Sequence, residues 1–217
     1  MLGSVQNVSR IGEILHDHGI FFIVDGAQTA SHKGLFGVPG TGEFYLRDLE
    51  SVAPVRYGGT GTDSFSLYQP REMLERFETG THNDPGLAAL AAGANYITSI
   101  GVNAIAETAE RQTAFLVREL KEEPNVTVYN ESPVLPIVSF NIDGVENDDV
   151  GFILARAYGI VARTGLHCAP LVHRAIDGGI GSVRLSLSGF TTDEECRTAA
   201  RAVKEIARDA NSSVGSP

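Results

Sequence analysis

The run IFFIVD, residues 20–25, constrains the fold of this chain more than any other stretch. Five apolar residues in succession, with no polar alternation, read as a strand buried on both faces, the pattern of a parallel sheet covered by helices. The run ends in Asp25, and a glycine-rich segment, DGAQTASHKGLFGVPGTG (25–42), follows at once. Upstream, Ser9 is placed to cap a short helix with Ile11, Ile14 and Leu15 on one face and Gly19 as its stop. Helix, strand and loop in this order point to an α/β protein, in which ligands gather at the carboxyl ends of strands.

The remaining chain carries more of both element types. EFYL (43–46) reads as a second short strand, and residues 47–84 are loop-rich, with the glycine-bearing patches YGGTGT (57–62) and FETGTHND (77–84). Two helices follow. One begins at Asp84, with Pro85 at a favoured first-turn position, and the next carries Ile105, Ala109, Phe115 and Leu116 at helical spacing. Strands are then expected at VTVYN (126–130), VLPIVSFNI (134–142), IVARTG (160–165) and VRLSLSG (183–189), with a helix at 148–158. A last helix starts at TTDEE, where Thr191 or Thr192 can cap and the acids suit the positive helix end. The expected domains are 1–100, of α/β character, and an α+β unit over 101–217, with residues 211–217 as a disordered tail.

Bulk properties narrow the function classes. The 217 residues are 42% hydrophobic and 20% charged, which suits a globular protein with a substantial core. No apolar run approaches the roughly 20 residues that span a bilayer, and MLGSVQNVSR lacks a signal-peptide core, so a cytoplasmic protein without a membrane partner is expected. The net charge of −10 argues against a nucleic-acid partner. The two cysteines, Cys168 and Cys196, are not expected to form a disulfide, and no metal-ligand spacing is visible.

Asp25, Gln28, His32 and Lys33 are the first candidates for chemistry. A carboxylate at a strand end needs a cation or hydrogen-bond donors, and one such partner is the protonated ring nitrogen of pyridoxal phosphate. That cofactor also requires a lysine to attach to, which Lys33 offers. The alternative is a surface turn with an aspartate cap and a solvated lysine. GVPGTG (37–42) lacks the spacing and the following Lys-Ser/Thr of a phosphate loop.

Five motifs in order narrow these alternatives: VDGAQTA (24–30), SHKGLFGVPGTGEFY (31–45), RFETGTHNDPG (76–86), VARTGLHCAP (161–170) and SVRLSLSGFTTDEE (182–195). Together they resemble the class V aminotransferase family of pyridoxal-phosphate enzymes, in its cysteine desulfurase and selenocysteine lyase-like branch. The resemblance implies a partial fold type I large domain, mostly a parallel sheet, with a C-terminal α+β small domain. It implies that Asp25 pairs with the pyridine nitrogen and Gln28 with the ring hydroxyl. His32 and Thr81 would hold the phosphate, Thr81 for a neighbouring subunit, and Lys33 would be the cofactor-linked base.

Cys168 sits in a loop with His167 beside it and Arg163 five residues upstream, and positive charge nearby raises the reactive fraction of a thiol. The bland alternative is a small buried hydrophobe, the reading taken for Cys196. The resemblance makes Cys168 the nucleophile that takes sulfur from L-cysteine, leaving alanine, or selenium from L-selenocysteine. Arg184 becomes the clamp for the substrate carboxylate, a task suited to a two-pronged guanidinium. Arg163 and His173 are weaker candidates for that role, and His167 is read as packing or support. A homodimer and a sulfur-acceptor protein are the implied partners. An epimerase, an aminotransferase or an inactive truncated fragment is the alternative. The last follows from two departures: relatives begin with a further N-terminal part, and they place a loop and another strand between the equivalents of AQTA and SHKG, which here are joined.

Overall fold

The computed structural model describes residues 2–29, 31–62, 65–72 and 75–214, with the backbone alone for Ser31, His32, Leu49, Ser213 and Val214. The chain divides into two units, Met1–Phe21 with Val102–Pro217, and Phe22–Gly101. The first 21 residues thus belong with the C-terminal half, unlike the expected 1–100 division.

In the discontinuous unit, α1 (Val8–Asp17) leads, followed after residue 101 by α4 (Val102–Lys121), β1 (Val126–Val128), β2 (Ile137–Ile142), α5 (Asn147–Tyr158), α6 (Pro170–Ile176), β3 (Val183–Ser186) and α7 (Asp193–Val214). The cap of α1 is Asn7, whose side chain accepts from the Arg10 amide at 3.0 Å, and not Ser9, which lies inside the helix. The three strands form an antiparallel sheet in the order β1-β2-β3, with Phe140 opposite Val128 on one side and Val183 on the other. β2 is central and largely buried, whereas β3 alternates buried Val183 and Leu185 with half-buried Arg184 and exposed Ser186. That period of two aims Arg184 away from the core.

The core joins Leu116 and Leu120 of α4, Val138 and Phe140 of β2, Val150 and Leu154 of α5, and a stripe of Cys196, Ala199, Val203, Ile206 and Ala207 on α7. The spacing of that stripe puts its residues on one helix face, and its alanines let α7 approach closely. Thr192 starts α7 through a reciprocal box: its hydroxyl accepts from the Glu195 amide at 3.2 Å, while the Glu195 carboxylate accepts from the Thr192 amide at 2.7 Å. α7 runs on through Val214, so residues 211–214 are helical where a disordered tail was expected; 215–217 lie outside the described residues. IVARTG contributes one strand-like bridge, Arg163 to Arg184, in place of a full strand.

The unit Phe22–Gly101 holds α2 (Ser31–Gly34), a 3₁₀ turn at Leu49–Ser51, and α3 (Asp84–Ile100). α3 is capped by Asn83 and carries buried Gly93, where an added Cβ would lie 2.2 Å from the Leu35 carbonyl oxygen. Neither strand expected here forms. IFFIVD joins no sheet, and Ile23 is 78% exposed; EFYL is also non-strand, with Phe44 and Tyr45 exposed. A strand exists only against a partner, and among the described residues of this unit none supplies one. No single helix among the described residues is long and apolar enough to cross a membrane.

Candidate active site

The expected site residues fall into two sets in different units. Asp25, Gln28, Lys33 and Thr81 belong to Phe22–Gly101, and Cys168 and Arg184 to the other unit. The His32 side chain lies outside the described residues.

In the first set every side chain is exposed. The Asp25 carboxylate accepts from the Ala27 amide at 2.9 Å, and the Thr29 amide closes a turn onto the Gly26 carbonyl at 2.9 Å. The chain then enters α2 directly. A Cβ at Gly34 would meet the Thr29 carbonyl oxygen at 2.0 Å, so glycine alone fits where the two motif halves meet. A carboxylate, an amide, an amine and a hydroxyl remain open to solvent, and this donor set matches the chemistry of pyridoxal phosphate. The strand expected beneath Asp25 is replaced by an unpaired segment, so the set lacks the rigid support that preorganises such a site.

The second set is more fully built. Arg163 and Gly165 pair antiparallel with Arg184 and Ser182: the Arg184 amide donates to the Arg163 carbonyl at 2.7 Å, and the Gly165 and Ser182 amides exchange bonds at 3.1 Å. After Gly165 the chain turns back sharply. His167 (φ +50°) and Cys168 (φ +59°) both occupy the left-handed region, uncommon for residues with a side chain, and Ala169 then opens α6. Cys168 is exposed, and an Arg163 Nη donates to its Sγ at 3.3 Å.

Beneath the turn lies a buried polar cluster. The Nε2 of His167 contacts the Ser182 carbonyl at 3.0 Å and its hydroxyl at 3.1 Å. A carbonyl only accepts, so Nε2 carries the proton. Burial holds His167 down at about 4, with Arg184, His173 and Arg163 adding to the shift against the backbone bond to Ser182, and the ring is neutral at pH 7. His173 is wholly buried; its Nδ1 meets the Asp177 carboxylate at 2.5 Å, and its ring centre is 5.4 Å from that of His167. Burial would raise Asp177, but hydrogen bonds from His173, Gly179 and Gly181 hold it below the usual carboxylate range. Arg184 is pulled down by burial and by neighbouring Arg163, and its Nε has no partner. Neither Arg163 nor Arg184 forms a salt bridge among the described residues. An anion is what this pair of guanidiniums suits.

Cys168, Arg163 and Arg184 are expected from the sequence, whereas Asp177 and Ser182 are not. Asp177 had a signal, since a histidine and an acid four residues apart meet across a helical turn. Ser182 had none, because its partner is fifteen residues away across a paired segment. No cluster of three or more metal-ligating side chains occurs among the described residues. A cavity of about 470 Å³ between α4 and the start of α7 contains none of the expected site residues, and Cys196 in its wall is the cysteine read as structural. Its arginines are each satisfied, Arg111 by Asp193, Arg118 by Glu119 and Arg197 by Glu194.

Residues 29–198 match the family Aminotransferase class-V. The chain belongs to that family. Among its class-V relatives is a probable cysteine desulfurase of Methanothermobacter thermautotrophicus, 32% identical over 231 residues, covering 95% of this chain and 58% of the relative. A cysteine desulfurase of Shigella flexneri is 29% identical, with 96% of this chain and 56% of the relative covered. The apo structure of the Thermococcus onnurineus NA1 cysteine desulfurase superposes with a TM-score of 0.87 at 30% identity, covering 96% of this chain and 57% of that one. The Escherichia coli cysteine desulfurase CsdA gives 0.85 at 23% identity, which speaks to the fold. The chain is therefore a partial α/β fold of the class-V type, spanning a little over half the length of these relatives. The 231 aligned positions also exceed its 217 residues, so the matched region of the archaeal relative holds residues that this chain lacks. Asp25 and Gln28 precede the matched segment, and Lys33, Thr81, Cys168 and Arg184 fall inside it.

Proposed function

We propose that this chain carries the sulfur-transfer half of a cysteine desulfurase, with Cys168 as the acceptor of sulfur from L-cysteine. The observation behind this reading is the exposed Cys168 sulfur held 3.3 Å from an Arg163 Nη, on a turn next to Arg184. Arg184, assisted by Arg163, binds the substrate carboxylate. The Cys168 sulfur attacks the substrate sulfur, so that an S–S bond forms as the Cβ–S bond breaks, giving a persulfide on Cys168 and, after protonation, alanine.

Pyridoxal phosphate, when bound, supplies the electron sink that makes the Cα–H and Cβ–S bonds cleavable. Asp25, Gln28, Thr81 and His32 are the residues that would hold it, and Lys33 Nζ would attach it and take the Cα proton. A structural neighbour, the C-DES K223A mutant with glycine covalently linked to the cofactor, superposes with a TM-score of 0.75 at 19% identity, a likeness of fold. A homodimer, a protein acceptor for the persulfide sulfur and a cytoplasmic setting complete the reading.

The exposed, unpaired IFFIVD segment favours a second reading: the chain keeps the Cys168 loop but does not bind the cofactor by itself. One experiment separates the two. Mixing the purified chain with pyridoxal phosphate gives, on the first reading, a lysine-linked absorbance band that Lys33→Ala removes, and added cysteine yields alanine and sulfide. Absence of the band in the unaltered chain establishes the second reading. Selenocysteine in the same assay decides between sulfur and selenium chemistry.

A further inference from the structure

The Asp177–His173–His167 cluster has no part in the scheme above, and its cost calls for a reason. His167 is 9% exposed and His173 fully buried, yet Nδ1 of the first and Nε2 of the second have no hydrogen-bond partner. An unpaired buried polar atom loses its hydration without compensation, and apolar side chains would pack the same space without that penalty. Directly above, two consecutive residues with side chains sit at positive φ, each a conformation that persists only where its surroundings enforce it.

Hydrogen bonds and ring packing supply that enforcement. His167 Nε2–H reaches the Ser182 carbonyl, which also accepts the Gly165 amide, so one oxygen ties both ends of the turn. The His167 ring rests at 45° against the His173 ring, and His173 is fixed in turn by Asp177, whose other oxygen accepts from the Gly179 amide at 2.9 Å. The chain of support runs from Asp177 through His173 and His167 to the peptide of Cys168.

We propose that His167, backed by His173 and Asp177, is the positioning residue that holds Cys168 in its left-handed conformation and so keeps its sulfur on Arg163. The inference rests on Cys168 being the reactive thiol, and it assigns the buried cluster to the placement of that thiol. His167 touches neither substrate nor cofactor in this role; it acts through the backbone it anchors.

A thiol-alkylation cycle on the full chain tests it. Iodoacetamide labels exposed Cys168, while Cys196, 3% exposed, reports opening of the unit. In the unaltered chain Arg163→Gln slows labelling of Cys168 at pH 7 by about threefold or more, the size expected for directly coupled groups. His167→Ala slows it comparably and abolishes the further effect of Arg163→Gln. His167→Gln, which keeps a donor at the Nε2 position, restores both the rate and the Arg163 dependence. His173→Ala and Asp177→Asn weaken the dependence in the same sense. Independent, multiplying effects of His167→Ala and Arg163→Gln overturn the proposal, as does an unchanged Arg163 dependence in both His173→Ala and Asp177→Asn. If His167→Ala also exposes Cys196, the His167→Gln and Asp177→Asn pair decides in its place. Neither cofactor nor substrate enters this assay, so the outcome stands apart from success or failure of the desulfurase assay.

Discussion

At the scale of single residues, His167 links geometry to pH. Its native value of about 4 lies below the ordinary 6.5, chiefly through burial and then through Arg184, His173 and Arg163. Between those values the unfolded chain binds a proton that the folded one refuses. The stabilising share of a neutral His167 is therefore complete above pH 6.5 and is lost as pH falls toward 4. Thermal unfolding followed across that window should show this loss, and His167→Gln should flatten it; equal slopes for both chains would contradict it. Cys168→Ser should remove sulfide formation from cysteine while leaving the absorbance of bound cofactor unchanged, and retained sulfide would exclude Cys168 as the acceptor. The loop position of Cys168 near Arg163 was legible in the sequence from its neighbours, whereas Arg184 was singled out through the family resemblance. Asp177 carried no expectation from the sequence, although it sits one helical turn from His173.

At the scale of elements, the pieces read correctly are those that contain their own pattern. Helices α4 and α5 and strands β2 and β3 follow from their apolar patterns, and the start of α7 at Thr192 follows from capping chemistry. Thr192→Ala should cost about 1 kcal/mol, read as a lower denaturant midpoint at constant slope. Leu120, fully buried between α4 and the sheet, should cost about 2–5 kcal/mol as Leu120→Ala. IFFIVD failed for the opposite reason: apolar character on both faces says that a segment wants to be covered, and nothing in it says by what. α6 was missed because seven residues behind a proline give too little periodicity to detect.

At the scale of the whole molecule, the residues match class-V relatives across nearly all of this chain but only a little over half of theirs. The run Ile20, Phe21, Phe22, Ile23 and Val24 remains exposed, and so do Phe44 and Tyr45. Large apolar side chains left exposed in this number promote association. Sedimentation should show concentration-dependent self-association that Ile23→Lys reduces, and a monodisperse monomer at all concentrations would count against it.

The Gly3 carbonyl accepts from both the Val134 and Leu135 amides at 2.8 Å, and the Asn130 side chain donates to the Leu2 carbonyl at 2.5 Å. The opening segment is thus stitched to a part of the chain more than a hundred residues away, and the peptide link between them passes through the whole of Phe22–Gly101. A protease that nicks the loops between residues 47 and 84 would leave Met1–Phe21 attached by hydrogen bonds and packing alone. The same cut leaves every residue from Val102 onward in one piece, so the Cys168 loop would survive digestion while its N-terminal seam became a dissociable peptide.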